Sequence, residues 1–200
     1  MESAFKVVAK AQNRAIMKNL PNLLSFFRII SIPFVVAFLF SPTPLASFLA
    51  ALLFSIASLT DILDGYIARQ QKVESAIGKL LDPMADKLLI NSALIMLIPL
   101  GRIPAWMVVL IVGREIAVTG LRGIATLQGM VIPASNWGKA KMVFQTVSII
   151  GLMLHYEYFG INFHLLGMLL LWVALGITLW SGWDYFVKFY RGHPKKGDRQ

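Results

Sequence analysis

Apolar residues dominate this chain in long blocks, and the polar positions that interrupt them are few and regularly placed. A helix that crosses a bilayer needs about 20 mainly apolar residues. Six stretches meet that pattern: Leu23 to Phe40, Leu45 to Ile67, Pro83 to Leu100, Ala105 to Thr126, Lys141 to Tyr158 and Leu165 to Phe189. Breakers separate them, including Ser41 to Pro44 (SPTP), Pro99 with Gly101, and Pro133 with Asn136. Ahead of them Lys6, Lys10, Arg14 and Lys18 recur every four residues beside Phe5, Val8, Ile16 and Met17, a pattern for a helix lying on the membrane surface, with an unordered basic tail as the alternative. The expected fold is therefore an all-α membrane protein, six transmembrane helices preceded by a juxtamembrane amphipathic helix. It forms a single domain over 1–200: a surface helix at 1–19, a six-span bundle at 20–190 and a basic tail at 191–200. The first residues lack the continuous apolar core and small-residue site of a cleavable signal peptide.

Composition agrees. The chain is 57% hydrophobic and only 14% charged, with a mean hydropathy of +0.68, outside the range of ordinary soluble domains. Cysteine is absent, which excludes disulfides and thiolate metal sites. The net charge of +9 is spread along the flanks of apolar spans and not gathered in a soluble module, so anionic lipid and anionic substrate fit better than nucleic acid. Lys and Arg also set orientation. The amino-terminal segment, the connector with Arg69, Lys72 and Lys79, the flank with Lys139 and Lys141, and the tail with Lys188, Arg191, Lys195, Lys196 and Arg199 are basic, whereas the alternate connectors carry little beyond Arg102. With an even number of spans, both termini and the segment around Arg69 face the cytoplasm. The tryptophans lie near span ends, as interfacial anchors do, and His155, His164 and His193 show no ligand spacing.

The informative exceptions are four aspartates. Asp61, Asp64, Gly65 and Ala68 stand at i, i+3, i+4 and i+7, one face of a helix, and Gly78, Asp82 and Asp86 repeat every four residues. The connector from Arg69 to about Ile77 is short and polar, so the two helices are expected to fold back and bring the carboxylates together. An intramembrane carboxylate costs about 2.5–3.5 kcal/mol on insertion scales, so the cluster calls for a compensating partner such as metal. Hard oxygen ligands without cysteine or nearby histidine select Mg²⁺ or Mn²⁺, and four carboxylates suffice for two ions clamping a phosphate. Small residues at Gly65 and Ala68 leave room for a ligand, and Arg69 suits a phosphate; small-residue helix packing at Gly78 and a snorkelling role for Arg69 are the plainer alternatives.

The run D61-x-x-D-G-x-x-A-R-x8-G-x3-D-x3-D86 resembles, at every fixed position, the signature of the CDP-alcohol phosphotransferases. That resemblance implies transfer of a substituted phosphoryl group from a CDP-linked donor to an alcohol with release of CMP. It implies Asp61, Asp64 and Asp82 as metal ligands, and Asp86 as the catalytic base that also approaches metal. Gly65, Ala68, Arg69 and, more weakly, Ser75 would face the CDP moiety, with Gly78 nearby; the segment Asn22 to Ser25 resembles the family's donor-contacting start of the first span. Asn19 to Arg28, Gly113 to Arg122 and Gly138 to Lys141 are similar to the bacterial phosphatidylglycerophosphate synthase branch of that family. The branch implies CDP-diacylglycerol as donor, sn-glycerol 3-phosphate as acceptor, a homodimer, and a bacterial cytoplasmic membrane with the site facing the cytoplasm.

A phosphorylated acceptor also follows from charge. Arg114, Val118 and Arg122 are four residues apart on a predicted helix, so both guanidinium groups lean to one side, and Lys139 and Lys141 open the next span; for the lysines, positive-inside topology is the alternative. Glu115 is expected to form a structural pair with Arg114. Two other readings stay open: a sibling transferase acting on inositol phosphate or serine, and an ion-coupled transporter.

Overall fold

The computed structural model describes residues 24–41, 43–71, 76–129, 136–158 and 160–192, with side chains throughout except at 61–71, 76–83, 136, 137, 139, 158 and 192. The surface helix expected at 1–19, Asn22, Ser75 and most of the 191–200 tail lie outside the described residues. Six helices follow the six apolar blocks: α1 (Leu24–Phe40), α2 (Pro44–Gln71), α3 (Ala76–Leu97), α4 (Ala105–Leu127), α5 (Asn136–Leu154) and α6 (Phe163–Gly192). A small antiparallel hairpin, β1 (Glu157–Tyr158) and β2 (Ile161–Asn162), joins the last two.

Local chemistry explains most helix ends. Thr43 caps α2, its hydroxyl accepting the Ala46 N–H at 3.2 Å, and Pro44 takes the first helical position, where no N–H is needed. Asn162 caps α6 by accepting the Leu165 N–H at 2.9 Å. Gly101 (φ +67°) stops α3 and Gly129 (φ +72°) follows the end of α4, both in the left-handed region that glycine adopts without strain. The apolar stretch starts at Pro83, but α3 begins earlier, at Ala76, so that Gly78 and Asp82 lie on the same helix as Asp86, as their spacing requires. The fifth helix is displaced from the predicted Lys141 to Tyr158: it starts at Asn136 and ends at Leu154. Beyond it His155 takes a left-handed φ of +56° and the following aromatic residues enter the hairpin, so their apolar character reflects the turn and not a longer helix.

The chain divides into two compact units, Met1–Met96 and Leu97–Gln200. In the first, the buried positions include Val35 and Leu39 of α1, Ala50, Phe54 and Ala57 of α2, and Ala85, Leu89 and Leu94 of α3. Ser25 and Arg28 are buried with them.

In the second unit α5 and α6 pack most closely where they are smallest. A Cβ on Gly167 would lie 2.8 Å from the Leu152 nitrogen, and one on Gly151 would lie 3.0 Å from the Gly167 Cα. The absence of side chains is what lets the two backbones touch. Arg102, buried, donates to the carbonyls of Met153 (2.6 Å) and Leu152 (3.4 Å), two of the last acceptors of α5 that have no partner within the helix. This is the one cation that stood out in the weakly charged connectors, and it has a structural task there. α4 and α6 lie side by side and run the same way, since their contacts ascend together: Trp106 with Trp172 (ring centroids 5.5 Å), Arg114 with Ser181 (2.7 Å) and Arg122 with Tyr185 (5.8 Å).

Residues Phe163–Arg191 form a helix long and apolar enough, by length and composition, to cross a membrane, with mean hydropathy 2.0. Among the described residues no other helix passes that test whole; Leu24–Phe40, Pro44–Thr60 and Ala140–Leu154 are shorter apolar runs. In α2 the run stops where the aspartates begin, and in α4 it is broken by Arg114, Glu115 and Arg122. Large apolar side chains are left exposed along α6, among them Leu165, Leu169, Trp172, Val173 and Trp180, a surface suited to lipid.

Two predictions follow from these contacts. Gly167→Ala should lower the melting temperature of the detergent-solubilised protein, at a cost of about 1–3 kcal/mol for overpacking. Gly176→Ala, with open space around the added methyl, should not; equal melting temperatures for the two variants would refute the close contact. The second concerns His155, whose Nδ1 lies 3.2 Å from that of His164, a pairing that their sequence spacing did not announce. Burial, then the Arg102 charge, then His164 push the His155 pKa below its ordinary 6.5. The folded state then binds fewer protons than the unfolded one, so this contribution to stability is complete above about pH 6.5 and falls as the pH drops further. His155→Asn keeps a residue that tolerates the left-handed backbone but does not titrate, and should flatten the acid side of a melting-temperature profile. An unchanged profile would show that His155 does not contribute.

Candidate active site

The aspartate run is carried on two helices of the first unit, as the spacing requires. Asp61, Asp64, Gly65, Ala68 and Arg69 all belong to α2, and Gly78, Asp82 and Asp86 to α3. At 3.6 residues per turn, Asp61, Asp64, Gly65 and Ala68 share one face of α2, and Gly78, Asp82 and Asp86 one face of α3. Glycine inside a helix costs about 0.8–1.0 kcal/mol relative to alanine, so Gly65 is placed against local preference, next to a carboxylate. Asp86 is half-buried, one turn before the buried Ile90, and has a polar or charged partner.

Two polar residues extend this picture. Ser58 stands three residues before Asp61 on the same face of α2, and its hydroxyl is buried with no hydrogen-bond partner among the described residues. An oxygen of that kind beside a carboxylate face suits a ligand rich in donors or a hydrated cation. On α1, Ser25 is fully buried and engaged in a polar contact, and Arg28, at 0% exposure, is buried and engaged one turn further on. An arginine inside an apolar helix is costly unless it is matched, and Arg28 is the one charge in its block of the sequence.

A second cluster is built in the Leu97–Gln200 unit. Arg114 donates from Nη2 to the Ser181 hydroxyl at 2.7 Å, and its Nη1 lies 3.5 Å from Oε1 of Glu115. Lys141, buried on α5, forms an ion pair with the same carboxylate oxygen. Glu115 thus balances two cations, the structural role expected of it, here extended to Lys141. The Arg114 shaft runs against α6: a Cβ on Gly182 would come within 2.9 Å of Arg114 Cγ and 3.1 Å of Nε. Arg122, exposed, lies over the ring of Tyr185, 5.8 Å from its centroid. Three cations against one carboxylate leave the cluster with surplus positive charge, suited to an anion. Lys139 precedes Lys141 by two residues, about 200° around α5, so the two lysines do not share a face.

Ser181, Gly182 and Tyr185 were not singled out from the sequence. The signal for them exists: Thr178, Ser181 and Tyr185 stand at i, i+3 and i+7, a polar stripe on one face of the most apolar helix.

Comparison with known proteins agrees with the family resemblance. A family model described as CDP-alcohol phosphatidyltransferase matches residues 18–180. A Bacillus subtilis protein named CDP-diacylglycerol–glycerol-3-phosphate 3-phosphatidyltransferase is 41% identical over 184 residues, covering 86% of this chain and 95% of its own. A Haemophilus influenzae protein of the same name is 34% identical over 84% of this chain and 91% of its own. A probable phosphatidylglycerophosphate synthase of Mycobacterium tuberculosis is 36% identical over 94% and 90%. The chain belongs to the CDP-alcohol phosphatidyltransferase family.

Glu115→Ala would leave Arg114 and Lys141 without their shared counter-charge. Removing one partner of a buried ion pair costs about 3–5 kcal/mol, and the partial exposure of Glu115 lowers the expected loss to about 2–3 kcal/mol in denaturant unfolding. Lys188→Ala, which breaks an exposed pair with Asp184, should change stability by less than about 1 kcal/mol. Equal effects of the two variants would overturn the balancing role of Glu115.

Proposed function

We propose that this chain is an integral membrane enzyme that transfers the phosphatidyl group of CDP-diacylglycerol to sn-glycerol 3-phosphate, forming phosphatidylglycerophosphate and releasing CMP. The observation that carries the reading is the aspartate pattern, filled at every fixed position on one face of α2 and one of α3, in a chain similar over most of its length to proteins named for that reaction. The cation cluster of Arg114, Arg122 and Lys141 supports a phosphorylated acceptor; serine would need no such cluster.

In this reading Asp86 accepts the proton of the acceptor hydroxyl. The freed oxygen attacks the donor's β-phosphorus, the bond from that phosphorus to the bridging oxygen breaks, and CMP leaves with the electron pair. Arg114 and Arg122, with Lys141 and the neighbouring Lys139 at the mouth of α5, hold the acceptor's phosphate. Gly65, Ala68, Arg69, Ser75 and Gly78, with Asn22 and Ser25, bind CDP-diacylglycerol.

Asp61, Asp64, Asp82 and Asp86 fit a divalent metal by donor chemistry: carboxylate oxygens only, in a chain without cysteine, beside the unpartnered Ser58 hydroxyl on α2. Bound Mg²⁺ or Mn²⁺, two ions in this reading, supplies neutralisation of the diphosphate charge. The chain crosses the bacterial cytoplasmic membrane six times as one domain, with the aspartate helices open to the cytoplasm where CDP and glycerol phosphate compounds are handled, and works as a homodimer.

The test is product identification. Purified protein given CDP-diacylglycerol, Mg²⁺ or Mn²⁺ and one acceptor at a time should release CMP with sn-glycerol 3-phosphate and yield the phosphorylated lipid. Asp86→Asn should lower kcat by about 10²–10⁴ while retaining donor binding. A higher kcat/KM with inositol phosphate or serine would replace the acceptor while leaving the transferase in place. Solute flux without CMP release would overturn the transferase itself.

A further inference from the structure

The seam between α4 and α6 holds an unusual concentration of polar atoms without partners. The Arg114 Nε, the Thr178 hydroxyl and the Tyr185 hydroxyl are all buried there, and none has a hydrogen bond among the described residues. Buried polar atoms in folded proteins are paired in about nine cases of ten. Three unpaired ones, with Thr178 and Tyr185 on the α6 face that carries Ser181, stand beside a surplus of positive charge and suit an anionic ligand. Tyr185 is the most telling of them. It is 7% exposed, stands one turn beyond the Ser181 that receives Arg114, and has the exposed Arg122 guanidinium over its ring. The exposed Arg122 guanidinium would hold an anion beside the Tyr185 ring, which makes that anion the candidate acceptor for the hydroxyl. A phenol O–H is a donor at neutral pH, and an oxyanion is its strongest acceptor.

We propose that Tyr185 is a specificity-determining residue for the phosphorylated acceptor, its hydroxyl donating a hydrogen bond to the phosphate held by Arg114 and Arg122. Ser181 and Gly182 act one step back as positioning residues: the Ser181 hydroxyl receives Arg114 Nη2, and Gly182 leaves the space in which the Arg114 shaft lies. The inference rests on the acceptor-phosphate reading of this cluster, and adds to it the helix that selects for the phosphate.

Tyr185→Phe tests it, because the variant keeps the ring under Arg122 and removes the hydroxyl alone. With sn-glycerol 3-phosphate varied at saturating CDP-diacylglycerol, the acceptor KM should rise about tenfold or more, as for loss of a hydrogen bond to a charged group. The donor KM should stay within twofold, and the melting temperature should be unchanged or higher, since no hydrogen bond of the ligand-free protein is lost. An acceptor KM within twofold of wild type would overturn the proposal and leave the hydroxyl to a buried water. A lowered melting temperature with both KM values raised together would overturn it in favour of a packing role. Arg114→Ala and Arg122→Ala run alongside separate the two levels. If they raise the acceptor KM and Tyr185→Phe does not, only the Tyr185 assignment fails. If they too leave it unchanged, the phosphate cluster itself is misassigned.

Discussion

Charges on apolar helices have to be matched by another polar group or by a ligand, and that constraint organises this molecule. Where a match is found inside the protein the role is structural. Arg102 is answered by the carbonyls that end α5, and Glu115 by Arg114 and Lys141. The proposed sites are where one sign of charge is in excess. Asp61, Asp64, Asp82 and Asp86 place four negative charges on α2 and α3 against the three positive charges of Arg69, Lys79 and Lys87. The α4–α6 seam has the opposite surplus. The same accounting is what supports the proposed metal and donor site on the one pair of helices and the proposed phosphate site on the other.

Much of this was legible in the order of residues. Six apolar blocks became six helices because a helix satisfies its own backbone, so long apolar runs have no other stable form in an apolar setting. The i, i+3, i+4 and i+7 spacing of the aspartates was legible for the same reason: once the segment is helical, geometry alone decides which residues share a face. The motif therefore pointed to the family before any contact was known.

What escaped the sequence depends on partners that periodicity does not name. The left-handed His155 ended α5 four residues before the apolar pattern did, and its contact with His164 required the hairpin that turns the chain back. Gly151 and Gly167 read as unremarkable small residues until each was seen to face the other's backbone. Lys139 and Lys141 looked equivalent as a pair of basic residues, yet α5 turns them to different faces and only Lys141 is described in an ion pair.

The sixth helix shows why hydropathy alone understates function. Among the described residues α6 is the one helix long and apolar enough to cross a membrane, and that property draws attention away from its polar positions. Three of those positions, Thr178, Ser181 and Tyr185, share one face, and Ser181 and Tyr185 meet Arg114 and Arg122 because α4 and α6 run in the same direction with contacts that ascend together. A random scatter of hydroxyls on such a helix would be costly, since most would face groups unable to bond them. A single line facing two arginines is cheap for Ser181, which is bonded, and tolerable for Tyr185 and Thr178 only if something else comes to bond them. The polar stripe on this membrane-length helix is thus what the proposed anion site would account for and helix packing alone would not.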